Sequence, residues 1–206
     1  MCTDTSGFEQ VLLQSIAAKS ANFTSPEING PPAGLQGQPD DTIKFRKCLD
    51  FVLQKEGSKL VKEDGERGAS RYGILQSTAR AFGYRGNIKN ITRNDVEGIY
   101  RKIWERSGAA SLPYPLCVVH FDTYVNSPAA AQKILDKSQG NIDSYLTMRE
   151  RRYVKLAGAK PEVYAKYLKG WKNRINSLRS VVTQFQKDAT YAQNTIPATK
   201  NIEKNI

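Results

Sequence analysis

From Phe45 to Phe185 apolar residues recur three and four positions apart, in stretches cut short by glycine and proline. This spacing matches one face of a helix with 3.6 residues per turn, not the alternation of a strand. Phe45, Cys48, Leu49 and Val52 form the first stripe, and Gly57 offers its stop. Gln76 to Phe82 reads as a short helix ended by Gly83. Thr92-Arg-Asn-Asp95 caps another, with Val96, Ile99, Tyr100, Ile103 and Trp104 inward. Pro115 opens a helix carrying Val118, Phe121 and Val125. Ser127-Pro128 restarts one to about Lys137, and Asn141 to Leu156 forms the next, ending at Gly158. Pro161 opens a long helix carrying Tyr164, Leu168, Trp171, Ile175, Leu178, Val182 and Phe185. Residues 57–75 break the rhythm: Gly57, Gly65, Gly68 and Gly73 stand among alternating charges, predicting a turn-rich segment or small hairpin. The fold class expected is mainly α, a helical bundle with one small turn-rich or β-hairpin insert.

The two ends read differently. Ser6 to Glu9 resembles a capping box before a short amphipathic helix with Phe8, Val11, Leu12 and Ile16. A stretch with Pro26, Pro31, Pro32 and Pro39 follows. Residues 1–41 are therefore an arm or linker, either a disordered leader or a docking arm that orders on a partner. From about Asp188 the periodicity fades, and residues 188–206 are read as a flexible or partner-bound tail.

The chain has 206 residues, with 31 Lys and Arg against 20 Asp and Glu, a net charge of +11. Such a surface suits a polyanion: nucleic acid, an anionic membrane surface or a phosphate-bearing cell wall. No nucleic-acid-binding motif appears and the basic residues are spread along the chain, which argues against the first. No apolar run approaches the roughly 20 residues that span a bilayer, and no secretory signal is visible. The expectation is a protein made in a host cytoplasm and carried to its site of action. Cys2, Cys48 and Cys117 form no CxxC pair; Cys48 and Cys117 lie on apolar stretches and are expected to be buried thiols without a disulfide. His120 is the only histidine, expected to be packed or hydrogen-bonded locally, and no metal site or cofactor is anticipated.

Chemistry concentrates after the first helix. Glu56 continues the stripe of Phe45 and Val52, which places a carboxyl at a helix end on the inward face. Desolvation there favours the protonated acid, although the same position also fits a surface Glu in a frayed last turn. Gly68-Ala-Ser-Arg-Tyr-Gly-Ile74 follows. Together these segments resemble glycoside hydrolase family 108, lysozyme-like enzymes with a Glu-Gly element followed by Thr-x-Tyr-Gly-Ile. Ile99-Tyr-Arg101 with Trp104, and Leu112-Pro113 followed by Phe121-Asp122 and Asn126, resemble further family segments. Arg151-Arg-Tyr153 and Lys169-Gly-Trp-Lys-Asn-Arg174 resemble its C-terminal, predicted peptidoglycan-binding part.

The resemblance implies a lysozyme-like α+β fold, with residues 42–140 catalytic and 141–187 a peptidoglycan-binding-like helical region packed on them. It implies cleavage of the β-1,4 bond between N-acetylmuramic acid and N-acetylglucosamine in bacterial peptidoglycan, with Glu56 as general acid. Asp64, one residue out of step with the family's loop acid, either stabilises oxocarbenium charge or orients water, or is a turn residue; Glu63 and Glu66 are its rivals. Ser70 stands where the family has Thr. Its hydroxyl either holds the attacking water opposite Glu56, giving inversion, or satisfies the loop backbone. Tyr72, Gln76 and Asn126 are candidates to bind N-acetyl groups, with Gln76 alternatively a solvated helix residue. Trp171 and Tyr167 are read as core. Gly57 is followed by Ser58-Lys59 instead of the family's Gly-Tyr, and the Asp-Pro-rich loop is replaced by residues 62–67. A binding-only wall component that keeps the fold is the alternative. The terminal extensions suggest docking into a phage tail or an injection device; release as a free endolysin is the alternative route to the wall.

Overall fold

The computed structural model describes residues 40–62 and 68–195, excepting the side chains of residues 189–195. Residues 1–39 of the N-terminal arm, including the amphipathic segment at Phe8–Ile16, and Asp64 with its rivals Glu63 and Glu66 lie outside the described residues; Asp40 and Asp41, assigned to the arm, instead cap and begin the first helix. The elements run α1 (Asp41–Glu56), β1 (Leu60–Val61), β2 (Ser70–Arg71), β3 (Ile74–Leu75), α2 (Gln76–Ala81), α3 (Arg93–Ser107), α4 (Leu116–Asn126), α5 (Pro128–Ser138), α6 (Ile142–Ala159) and α7 (Pro161–Thr195). Short 3-10 turns at Ile88–Asn90 and Ala109–Ser111 bridge α2 to α3 and α3 to α4. The fold is mainly α with one small antiparallel sheet of order β1-β2-β3, as the sequence pattern predicts, and it is consistent with the lysozyme-like fold that the resemblance implies.

Local chemistry explains the boundaries. Asp40 caps α1 by accepting from Thr42 N at 3.1 Å. Thr92 and Asp95 close a reciprocal capping box on α3, with Thr92 Oγ1 accepting from Asp95 N and Asp95 Oδ2 from Thr92 N. Gly108 takes φ +69 just past α3, the left-handed residue that ends a helix. Two expected ends move. Gly158 sits inside α6, which continues to Ala159, and α7 runs to Thr195, past the Asp188 at which periodicity fades. An internal glycine costs a helix only about 1 kcal/mol, which the packing of Tyr153 and Ala157 on the same helix outweighs.

The core is one continuous cluster. Phe45, Leu49 and Val52 of α1, Ile99, Ile103 and Trp104 of α3, Val118 and Phe121 of α4, and Trp171, Ile175 and Leu178 of α7 all belong to it. Trp104 meets Phe121 edge-on at 5.3 Å and Phe45 at 5.9 Å. α4 is the central helix: ten of its residues are buried, including His120, Asp122 and Asn126. α6 and α7 pack against each other and share this core, with Trp171 stacked on Tyr153 at 4.6 Å, so Trp171 is a core residue. The Cys48 and Cys117 thiols are free and buried, 4.0 Å apart between α1 and α4. Among the described residues no helix is long and apolar enough to cross a membrane.

Candidate active site

Glu56 is the last residue of α1. Gly57 follows with φ +72 and donates its N–H to Leu53 O at 2.9 Å, so the chain leaves the helix immediately after the acid. The Glu56 side chain is 3% exposed, inward as the stripe predicts. The small sheet approaches it from one side. Gly73, at the β2–β3 turn with φ +74, lies so close that a Cβ there would be 2.6 Å from Glu56 Cγ. The glycine of Tyr72-Gly73-Ile74 therefore serves two needs: a left-handed turn, and room for the acid. Tyr72 also takes a positive φ, +54, and its carbonyl accepts from Tyr100 Oη at 3.0 Å, which anchors the turn to α3.

From the other side comes a residue the sequence reading did not single out. Arg174 of α7 donates from Nη1 to Glu56 Oε1 at 2.9 Å. The same guanidinium engages Asp122 of α4, with Nε donating to Oδ1 at 2.9 Å and Nη2 2.8 Å from Oδ1. Arg149 of α6 donates from Nη1 to Asp122 Oδ2 at 2.6 Å and from Nε to Tyr153 Oη at 3.2 Å. Asp122 and Arg149 are each 1% exposed. The result is an alternating chain, Glu56–Arg174–Asp122–Arg149, of two acids and two bases drawn from four helices. Burial pushes the Asp122 carboxyl up, but the charges and hydrogen bonds of Arg174 and Arg149 outweigh it and hold the group below the usual carboxylate range. At Glu56, burial and the carbonyl end of α1 favour the protonated acid, while the guanidinium favours the carboxylate.

Signals for these partners existed. Arg174 lies three residues after Trp171 and directly before Ile175, and Arg149 lies four residues before Tyr153, so both charges interrupt buried stripes. A charge on an apolar face needs a buried counterion.

The other candidates separate. Ser70 is fully buried in β2, in register with Leu75 of β3 and Val61 of β1, on the sheet that carries Gly73. Tyr72 is half-buried at the turn, with the Arg71 guanidinium 5.2 Å over its ring. Gln76 uses both ends of its amide on the following loop: Nε2 donates to Gly86 O at 3.1 Å and Oε1 accepts from Ile88 N at 2.7 Å. That makes it a brace for the loop. Asn126 is 2% exposed, packed inside, and donates to Asp122 O at 2.7 Å. Its burial follows from α4 being enclosed on nearly all sides, which a single stripe of Val118, Phe121 and Val125 understates.

His120 is buried, with Nε2 3.0 Å from Ser107 O and Nδ1 3.2 Å from Tyr145 Oη. Because a carbonyl only accepts, Nε2 carries the proton. Burial lowers the His120 pKa, opposed by the Ser107 hydrogen bond and the charge of Asp136. Among the described residues no three His, Cys, Asp or Glu side chains gather as they would around a metal ion.

Residues 49–127 match the family model described as glycosyl hydrolase 108. The match takes in Glu56, Ser70, Gly73 and Asp122 and stops before Arg149 and Arg174. Neither a curated protein nor a solved structure matches the chain.

Proposed function

We propose that this chain is a peptidoglycan hydrolase, a reading supported by the match of residues 49–127 to the glycosyl hydrolase 108 family model. It cleaves the β-1,4 bond between N-acetylmuramic acid and N-acetylglucosamine, with Glu56 as the general acid. The observation that carries the reading is Glu56 itself: a carboxyl at a helix end, 3% exposed, seated against a glycine turn and held by a buried guanidinium. Glycoside cleavage needs a proton delivered to the leaving oxygen as the anomeric carbon gains oxocarbenium character. A carboxyl fixed on two sides has few orientations to lose at that moment, which is how positioning accelerates a reaction.

In this reading the protonated Glu56 gives its proton to the bridging oxygen and keeps the electron pair as a carboxylate. Arg174 then stabilises that carboxylate; the bond from the anomeric carbon to the leaving oxygen breaks as water adds through its oxygen, and the proton that water sheds passes to solvent, from which Glu56 is reprotonated. Asp64, between β1 and β2 in sequence, is the proposed second carboxylate, and Ser70 the proposed support for the attacking water. Tyr72 is the proposed sugar contact at the turn. The surplus of positive charge suits a wall bearing phosphate or carboxylate groups. Carriage on a phage tail or injection device rests on the sequence of the two terminal extensions. Retention of the full chain on such a particle, with loss after deletion of residues 1–39, would support it.

A second reading draws on the same ion pair. A Glu56 carboxylate locked by Arg174 can be a purely structural link in a wall-binding protein that keeps the fold. Digestion of purified peptidoglycan, borohydride reduction and mass spectrometry separate the two. Reduced muramic acid at new chain ends is the expected result. Reduced glucosamine ends would change the bond, new peptide termini would change the enzyme class, and tight wall binding without new ends would favour the structural reading.

A further inference from the structure

We propose that the C-terminal helices α6 and α7 complete the active site instead of forming a separate wall-binding module: Arg174 is a positioning residue for Glu56, and Asp122 with Arg149 fixes Arg174 in place. The inference rests on the reading of Glu56 as the acid. Three observations carry it. Arg174 reaches Glu56 Oε1 at 2.9 Å across 118 positions of sequence. Its Nε and Nη2 are turned to Asp122, whose other oxygen accepts from Arg149 at 2.6 Å. Both arginines lie outside the matched segment 49–127, whereas Glu56 and Asp122 lie inside it.

The arrangement has a chemical consequence. A guanidinium is planar and keeps its charge at any working pH, so its fork holds two carboxylates at fixed angles. Asp122, pinned between two arginines, orients the fork and leaves Nη1 for Glu56. Arg174 thereby limits the rotation of the acid and stabilises its ionised form after proton transfer. The elements around Glu56 carry other charged groups. On α1 itself, Lys55 donates to Ser177 Oγ at 2.8 Å. On the sheet, the Arg71 guanidinium is turned to Lys89 O at 2.7 Å and Ser58 O at 3.4 Å. From α7 comes Arg174, backed by Asp122 of α4 and Arg149 of α6. Of these, Arg174 donates directly to the Glu56 carboxyl.

The test is a 13C NMR titration of the Glu56 carboxyl in the full chain, assigned by its absence in Glu56→Gln, run beside the pH profile of peptidoglycan cleavage. In Arg174→Gln the ionised form loses its cation, so the Glu56 midpoint rises by roughly one to three pH units. The high-pH limb of cleavage moves up with it, because the protonated acid is the active form. Arg174→Gln also leaves Asp122 with one cation fewer, so Arg174→Lys is the companion that keeps a charge against Asp122 and with it the fold. A lysine cannot reproduce the fork. The expected result is a smaller rise in midpoint and a turnover at least about tenfold lower, with KM within about twofold. An unchanged midpoint with wild-type turnover in either folded variant overturns the proposal and leaves the hydrolase reading intact. A wild type that cuts nothing, yet shows the rise in Arg174→Gln, sinks the hydrolase reading and leaves the coupling of α7 to Glu56 standing.

Discussion

Alanine at Gly73 strains the site in two separable ways. Its φ of +74 is a conformation an L-residue adopts at a cost of about 1–2 kcal/mol. Its Cβ would also stand 2.6 Å from Glu56 Cγ and 2.9 Å from both Cδ and Oε2. Carbon contacts are comfortable only at about 3.5–4.0 Å, so something must move by nearly an ångström. Glu56 cannot swing freely, because Arg174 holds its carboxyl. Overpacking of this kind costs about 1–3 kcal/mol. The expected total is about 2–5 kcal/mol, which lowers Tm by roughly 4–20 °C for a domain of this size. Displacement of the acid by that distance is expected to cost about 100-fold in kcat. Gly108→Ala is the matched control, since φ there is +69 and nothing lies within 4 Å of the added Cβ. It should show the backbone cost alone, with kcat within twofold of wild type. Both variants are read by thermal melts and by initial rates of peptidoglycan solubilisation at a temperature where each is folded. If Gly73→Ala matches Gly108→Ala in both measurements, the close approach of Gly73 to Glu56 has no functional weight.

Further outcomes follow from the buried polar groups. Asp122 is held below its ordinary value of 3.8, so its stabilisation is present above that pH and lost as pH falls through the lower folded value. His120 is held below 6.5, so its contribution is likewise present above pH 6.5 and lost as pH falls through its folded value. Thermal melts from pH 8 to 3 should therefore decline in two stages, the first absent in His120→Gln; a single stage unchanged in that variant would contradict the assignment. Tyr100→Phe removes the hydroxyl that holds Tyr72 O and should cost about 1 kcal/mol in urea unfolding, whereas an unchanged midpoint would mean that the turn is anchored elsewhere. In a Cys2→Ser background, Cys48 and Cys117 should resist a thiol reagent until the protein unfolds, since both are fully buried and burial pushes the Cys48 thiol up. Rapid labelling of native protein would show that the α1–α4 contact opens.

What could be read in the sequence was whatever repeats at short range. The stripes at Phe45–Val52, Val96–Trp104 and Trp171–Val182 and the capping box at Thr92 all carry their geometry in neighbouring residues, and the helices form there. Glu56 was legible for the same reason, as the polar end of an apolar stripe. Arg174, Arg149 and the burial of Asp122 were not, because their pairing joins positions 27 to 118 residues apart. Periodicity marks such a charge as misplaced but cannot name its partner. Gln76 shows the converse: its type suited a sugar ligand, and only the path of the loop at Gly86–Ile88 gives it a structural task. The C-terminus of α7 escaped because its last turns lack a stripe, while the helix carries on to Thr195.

The most direct test of the central claim is the rate of glycan cleavage by Glu56→Gln against wild type. Glutamine keeps the size of the side chain and an oxygen that can accept from Arg174, so the fold is expected to persist, checked by circular dichroism and Tm. The account predicts new reducing ends from wild type and a loss of at least about 100-fold in the variant. A folded Glu56→Gln that cleaves peptidoglycan at the wild-type rate would contradict it.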